Sequence, residues 1–393
     1  MIKREPLLTS ILSQPTAPFR ERNVIRTITA EFEKAGVPYF ADPIGNIVVG
    51  VDSQKSYKKL LVTRSPSEPL RVFIAHMDHP GFHGLEWKSE SDLLIKWHGG
   101  SPVHSLENAG VFVADSTGYL AEGKIVSAEL RPNGLAIDKA LVHLESPESL
   151  KSEYPDPEML FGAFRFREPI WTEGDIYYTK AADDLVGSFT IASLALDLWS
   201  RGKKPKIPFL GLLTRAEEVG FIGAIGHLEL GWLQKAKRPL LCVSLETSRT
   251  LPDAEIGKGP VVRLGDRFTV FDAKSLRVFL DVAEKALPGR FQRRVMDGGT
   301  CEGSAATVYG FPTVAISIPL GNYHNQSFEG GPDSLGPLGP APEFVHRADV
   351  AGMIELCHAL LKPKLPWNSP WEKKRGDFKK LFRGSRKLLK SGP

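Results

Sequence analysis

Five places in the sequence bring acids and histidines together in patterns that could do metal chemistry. His76 directly follows the apolar run RVFIA (71–75), and Asp78 comes two residues later. Asp183 and Asp184 open the run LVGSFTIASLALDLWS, and Glu217 and Glu218 come just after IPFLGLLT. Glu246 follows LLCVSL, and His324 follows TVAISIP across a short Gly-Asn-Tyr turn. Two imidazoles with three carboxylates, and no thiolate among them, suit two hard-to-borderline divalent cations such as Zn²⁺, Mn²⁺ or Co²⁺. A carboxylate has two oxygens and can bridge two cations about 3.5–4 Å apart; such a pair clamps both a water and a substrate carbonyl. Of two adjacent acids at a strand end, one can hold metal while its neighbour stays free to take a proton. Each piece alone has an ordinary reading. A lone histidine is usually structural, an Asp-Asp pair before a helix is usually a cap, and a Glu-Glu pair is usually a solvated helix start. The joint pattern, with the glycine-rich DGGT (297–300) ahead of the last histidine, reads as a metal site.

These residues need a scaffold that converges strand ends. Residues 20–35 carry Val24, Ile28 and Phe32 at helical spacing, with Gly36 as a stop. RVFIA has the apolar texture of a strand covered on both faces. From about Gly81 to Trp171 the texture changes to short strand-like pieces (LLIKW, GVFVA, KIVSA) separated by Gly, Ser, Asn and Pro, which reads as an inserted β-rich module. After Asp184 helices and strands alternate: LVGSFTIASLALDLWS, SLRVFLDVAEKAL and DVAGMIELCHALLK as helices, GFIGAIGHLEL as a glycine-broken helix, and IPFLGLLT, LLCVSL and TVAISIP as strands. That alternation argues for an α/β fold with a mostly parallel sheet sandwiched by helices and an inserted, small, barrel-like β-domain. In such sheets, sites form beyond the carboxyl ends of the strands, where residues scattered in sequence can meet. The expected division is a discontinuous catalytic domain of residues 1–80 and 172–362, an inserted domain of 81–171, and a tail of 363–393.

The 393 residues are long enough for two domains, and 24% charged with 42% hydrophobic residues is ordinary globular composition. No run approaches the roughly 18–20 apolar residues that span a bilayer. The N-terminus shows only a short broken apolar stretch and no small-residue cleavage signature, so no signal peptide is expected. Three widely spaced cysteines (Cys242, Cys301, Cys357) argue against a disulfide framework and for a reducing, cytoplasmic setting. The net charge of +4 hides an asymmetry: residues from Lys362 onward carry eleven Lys/Arg and two acids, which leaves the body at −5. In that tail Phe378, Leu381, Phe382, Leu388 and Leu389 stand among the cations, interrupted by Gly376 and Gly384. The tail reads as a mobile segment with at best two short helical turns, able to dock on an acidic surface. No nucleic acid and no membrane partner is expected, beyond weak surface binding through these cations. His98, His104, His143, His227, His346 and His358 are read as structural.

The order His-x-Asp, Asp-Asp, Glu-Glu, a further acid and a late His resembles the co-catalytic metallopeptidases. Among them it is most similar to the M42 glutamyl aminopeptidase family, which includes the tetrahedral aminopeptidases. The resemblance runs from about Ala17 to Lys362 and is carried by DPIGNIVV (42–49), AHMDHPGF (75–82), LLIKWHGG (93–100), KAADDLVG (180–187), TRAEEVGFIGA (214–224), GGTCEGSAA (298–306) and PTVAISIPLGNYHN (312–325). It implies a β-rich insertion where the texture above changes. It also implies Asp183 as the bridging carboxylate, His76 and Glu246 completing one metal site, Glu218 and His324 the other, Glu217 as general base, and Asp78 orienting His76. The sequence departs from the family at His79, where an acid is usual, at Leu185 (often Arg), at Cys301 (often Asp), and at Glu246 (more often Asp). These changes leave metal binding in place and bear on substrate choice.

The expected protein is therefore a homo-oligomeric, dinuclear metallo-aminopeptidase acting on peptides, with two divalent metal ions per chain, zinc first and cobalt or manganese as alternatives. Two rivals are an M20-like N-acyl amino acid deacylase or carboxypeptidase with the same metals, and a catalytically silent scaffold acting through its tail. Glu246 favours the first slightly, and the insertion before Asp183 disfavours it. The intact base and ligand set argues against the second.

Overall fold

In the computed structural model, residues 2–65, 68–145, 150–200 and 209–390 are described. The chain opens with α1 (Glu5–Leu12), α2 (Arg22–Ala35), the hairpin β1 (Tyr39–Ala41) and β2 (Ile47–Val49), α3 (Gln54–Val62) and β3 (Leu70–His76). Six strands with one short helix follow: β4 (Gly81–Trp87), β5 (Asp92–His98), β6 (Gly110–Asp115), β7 (Gly118–Leu130), β8 (Ile137–Leu144), α4 (Leu150–Glu153) and β9 (Phe161–Phe164). The hairpin β10 (Ile170–Glu173) and β11 (Ile176–Thr179) leads into α5 (Leu185–Leu198), β12 (Phe209–Thr214), α6 (Ile222–Glu229), β13 (Leu240–Arg249) and β14 (Val261–Asp266). The chain continues through α7 (Ala273–Ala286), β15 (Gln292–Met296), α8 (Glu302–Val308), β16 (Thr313–Leu320), β17 (Glu343–His346), α9 (Arg347–Leu360) and α10 (Glu372–Lys390). The first two residues of the expected strand IPFLGLLT lie outside the described residues.

Eight strands form one sheet in the order β1-β2-β12-β3-β13-β16-β14-β15. Its centre, β12-β3-β13-β16, is parallel throughout. Strand β3 shows why: all seven of its residues are buried, so both faces must be covered. Phe73 and Ala75 point into a core shared with α1, α2, α5, α7 and α9. Leu70, Val72 and Ile74 point the other way, into a core with residues of α3, α6 and α8. Helix α5 is buried along twelve of its residues, from Leu185 to Leu196, which explains why its sequence is apolar all round. Helix α2 ends as its sequence indicates, at Gly36 with φ +68°.

Between β3 and α5 the strands β4-β5-β8-β7-β6-β9 close into a barrel. Its interior is filled by alternating inward side chains, among them Phe82, Trp97 and Phe164. The Trp97 ring lies 6.1 Å from Phe82 and 4.9 Å from Phe164, centroid to centroid. Hairpin β10-β11 then pairs with β17 in a separate three-stranded sheet.

The tail departs from expectation. In place of two interrupted turns, α10 is one continuous helix of 19 residues running through Gly376 and Gly384. Each glycine costs a helix only about 1 kcal/mol relative to alanine, which weakens a helix without breaking it. No helix among the described residues is long and apolar enough to cross a membrane. The three cysteines are free and buried. Four of the histidines read as structural have partners in the protein: His227 bonds to Tyr57 and Asp42, His143 to Asp92, His358 to Asp197, and His346 accepts the Ala348 N–H at the start of α9.

Candidate metal centre

His76 is the last residue of β3, Glu217 and Glu218 lie just past β12, Glu246 is in β13, and His324 lies just past β16. These four strands are parallel neighbours, so their carboxyl ends bring all five residues to one edge of the sheet. Asp183 lies on the segment that enters α5. The Asp183–Asp184 peptide is cis. Asp184 turns away and caps α5 by accepting the Gly187 N–H.

Two groups of three share Asp183. Ligand atoms of His76, Asp183 and Glu246 lie within 4.8 Å of one another, and so do those of Asp183, Glu218 and His324. A third group, His76 with Glu217 and Glu218, meets the same limit. The Nε2 of His76 lies 3.5 Å from Asp183 Oδ1 and 3.8 Å from Glu217 Oε2. The Nε2 of His324 lies 3.8 Å from Asp183 Oδ2 and 3.2 Å from Glu218 Oε2. The two imidazoles thus address opposite oxygens of one carboxylate.

The electrostatics ask for cations. Burial pushes Glu217 well above the usual carboxylate range, and Glu218 and Glu246 add to the effect. Burial also raises Glu218, and it raises Glu246 to about 7 against the pull of Arg263. Burial alone would depress His76, but Glu217, Asp183 and Asp78 outweigh it and hold the imidazole well above its ordinary range. Glu218 Oε1 and His324 Nε2 are buried without a hydrogen-bond partner. Buried polar atoms are normally satisfied. Orphaned donor atoms of the right chemistry, facing a common point among crowded acids, fit two divalent cations of the kind bound by nitrogen and oxygen ligands.

A surrounding layer fixes these groups. Asp78 accepts the backbone N–H of Glu217 at 2.9 Å and of Glu218 at 3.2 Å, so its carboxylate pins the Glu-Glu turn. What sits 3.1 Å from His76 Nδ1 is the Asp78 carbonyl, while the nearest carboxylate oxygen is 3.6 Å away. The sequence pointed to Asp78 for imidazole orientation; its hydrogen bonds give it a second task in the loop. Glu21 supports the same turn from behind, accepting the Ala216 N–H and pairing with Arg215. Ala216 has φ +52°, a left-handed conformation that needs such external support. Thr247 donates to Asp183 Oδ1 at 3.1 Å.

Sequence reasoning missed several of these residues. Glu343, on β17, accepts the N–H groups of Ala182 (2.7 Å), Asp183 (3.1 Å) and His324 (2.9 Å). One carboxylate thereby ties Asp183 to the second imidazole; its only sequence signal is an acid opening the short strand EFVH. His79, which departs from the family pattern, sits with Nδ1 2.7 Å from the Asp183 carbonyl and Nε2 3.2 Å from Asn325. Burial lowers it to about 4, so it is a neutral imidazole. Glu302, the first residue of α8, is fully buried with both oxygens unbonded, and burial raises it to about 8. Gly100, in the barrel loop after β5, meets the site directly. A Cβ there would lie 2.0 Å from His324 Nδ1, so any side chain would have to displace the imidazole.

The centre opens into a cleft of about 300 Å³ lined by His76, Asp183, Glu217, Glu246 and His324, with Arg249, Met296 and Phe328 farther out. The barrel loop contributes Gly100 and Ser101 to its wall.

The M42 glutamyl aminopeptidase family model matches residues 161–328, a stretch that holds Asp183, Glu217, Glu218, Glu246 and His324. No curated protein matches the chain in sequence. Among solved structures, the TET aminopeptidase from the marine sediment archaeon Thaumarchaeota archaeon SCGC AB-539-E09 is similar at 18% identity and a TM-score of 0.71, covering 92% of this chain and 97% of its own. Aminopeptidase APDkam598 from the archaeon Desulfurococcus kamchatkensis is similar at 19% identity and a TM-score of 0.71, covering 92% and 95%. The Pyrococcus horikoshii TET1 peptidase, which can assemble into a tetrahedron or a large octahedral shell, is similar at 20% identity and a TM-score of 0.70, covering 91% and 99%. At these identities the structures establish a shared fold. The acid-bearing segment 161–328 is thus similar to the M42 glutamyl aminopeptidases, and the chain as a whole shares the fold of the TET aminopeptidases.

Proposed function

We propose that the protein removes N-terminal residues from peptides at a dinuclear centre, with Asp183 between the cations, His76 and Glu246 holding one, and Glu218 and His324 the other. The observation that carries this reading is the pair of ligand triads sharing Asp183. When bound, the cations supply Lewis-acid stabilisation at the scissile carbonyl and make a neighbouring water more acidic. Glu217 lines the cleft beside the triads, its Oε2 3.8 Å from His76 Nε2. It takes the proton of the attacking water and returns it to the leaving amine, as a general base and then a general acid. Its buried setting, which raises its proton affinity, suits both roles. Asp78 and Glu343 hold the two loops in register.

Zinc is the first expectation for the metal, with cobalt or manganese as alternatives, because the donors are imidazole nitrogens and carboxylate oxygens. We assign the catalytic domain to residues 1–80 and 172–362 and the inserted domain to 81–171. Free, buried cysteines support a reducing compartment such as the cytoplasm. The assemblies formed by the Pyrococcus horikoshii protein support a homo-oligomer here.

The test is a pair of substrate series. Aminoacyl p-nitroanilides and short peptides are expected to be hydrolysed, and N-acetylation of the same compounds to lower kcat/KM at least about 100-fold. Faster turnover of N-acyl amino acids than of free-amine substrates would assign the protein to the deacylases instead.

A further inference from the structure

Helix α10 has no role in the catalytic reading, and its chemistry is specific. Between Glu372 and Leu389 eight residues are Lys or Arg against two acids, Glu372 and Asp377. Phe378, Leu381, Phe382 and Leu389 stand at i, i+3, i+4 and i+11, one face of a helix, and Trp371 extends that face one position before the helix begins. All five are substantially exposed: Trp371 at 41%, Phe378 at 58%, Leu381 at 68%, Phe382 at 55% and Leu389 at 72%. Arg375, Lys379 and Arg386 border this stripe, and the Lys374 ammonium lies 5.3 Å from the centroid of the Phe378 ring.

Two physical facts say that something covers this helix. Large apolar side chains gathered on one exposed face mark an interaction site. A helix of this length with two internal glycines and eight cations is marginal in water by itself, since nucleation is costly and like charges on neighbouring turns repel. A partner that buries the stripe and neutralises the cations would stabilise it.

The attachment of the helix shows where that partner lies. Leu365 and Trp367, in the linker before α10, pack on the main core. The Trp367 ring lies 5.1 Å from the guanidinium of Arg71, the second residue of β3. His76 is at the other end of the same strand, five residues on, roughly 17 Å away at the rise of a β-strand. The tail therefore leaves the body at the edge of the sheet opposite the catalytic cleft. A surface bound by α10 leaves the cleft open.

We propose that α10 is a docking helix for an anionic lipid surface, lying along it with Phe378, Leu381, Phe382 and Leu389 in the headgroup–acyl boundary and its cations among the headgroup phosphates and carboxylates. A polar face rich in Lys and Arg opposite a stripe of Trp, Phe and Leu is the pattern of a helix that lies in a membrane interface. The long Lys and Arg stems bordering the stripe reach headgroup depth while their carbons stay in contact with apolar matter. Self-pairing through α10 of a second copy is disfavoured, because it would bring the cations of two such helices together. The proposal does not depend on the catalytic reading.

The test is flotation of the full-length protein with vesicles of phosphatidylcholine alone or with 30% phosphatidylserine. Binding is expected to the anionic vesicles, at least about tenfold tighter than to the neutral ones, and to weaken in 0.5 M salt. Leu381→Ser together with Phe382→Ser is expected to weaken it by about tenfold or more, because those side chains lose their apolar burial. Peptidase activity and oligomer size of the double variant are expected to match the parent, which shows that its fold is intact. Equal binding to both vesicle types, no binding, or unchanged binding of the double variant would overturn the proposal. So would a soluble acidic polypeptide or duplex DNA that binds the full chain more tightly than the anionic vesicles and through the same residues.

Discussion

Glu217→Gln is expected to leave metal content and fold intact and to lower kcat by about 10²–10⁴-fold, the range for loss of an acid–base group. The amide has nearly the shape of the carboxylate, and the main-chain bond from residue 217 to Asp78 does not involve the side chain that changes. What is lost is the ability to accept a proton beside the ligand triads. Glu218→Gln is the informative control. Its side chain joins His324 and Asp183 in one triad, so the expected phenotype is weakened occupancy of one cation. Because Glu217 also falls within ligand reach of His76, steady-state kinetics and elemental analysis must be read together for both variants. If Glu217→Gln lost metal and Glu218→Gln kept it while losing turnover, the two roles would be exchanged.

Asp183→Asn should have the second large effect, because both triads depend on one carboxylate. The amide retains a single acceptor oxygen, which can still receive the Thr247 hydroxyl but cannot serve two cations. Removing groups that only orient ligands costs about 10–100-fold in metal affinity, and loss of a shared ligand is expected to exceed that. Both cations should weaken together, by at least about 100-fold, with activity falling in step. Thermal unfolding supplies an independent check. Metal at 100 times its dissociation constant stabilises a folded protein by about 2.7 kcal/mol, so added metal should raise the Tm of the parent and leave that of Asp183→Asn nearly unchanged. A variant that lost only one cation would show that Asp183 belongs to a single site.

The ligand candidates were legible in the sequence because the fold puts chemistry at strand ends. A histidine or acid at or shortly after the end of an apolar run is visible as a break in texture, and His76, Glu217, Glu218, Glu246 and His324 all announce themselves that way. Asp183 was legible as a helix start. The layer that holds them was not, because its contacts span long stretches of chain. Glu343 reaches back 161 residues to the Ala182 N–H, and Glu21 reaches forward 195 residues to that of Ala216. No local period encodes such pairs. Gly100 is a similar case: its role exists only because a barrel loop folds onto His324.

The fold divides along the same line. Strands β3, β12, β13 and β16 are apolar runs buried on both faces, and the sequence shows them. Strands β14 and β15 escaped notice. β15 reads QRRVM, with Arg293 exposed at the sheet edge, where a cation discourages further pairing. Of the six barrel strands, β5, β6 and β7 were legible as β texture and a barrel-like domain was expected; the pairings of β4 and β6 with the short strand β9, which close it, have no local signal. In α10 the error ran the other way: Gly376 and Gly384 were weighted as breaks, although a glycine within a helix costs little beside a continuous amphipathic stripe.

The central claim, a pair of cations arranged about Asp183, is tested most directly by anomalous diffraction from crystals of the protein loaded with zinc, cobalt or manganese. Two peaks per chain are expected, about 3.5–4 Å apart, one beside His76 and Glu246 and the other beside Glu218 and His324, with Asp183 between them. A single peak, or two peaks that do not share Asp183, would contradict it.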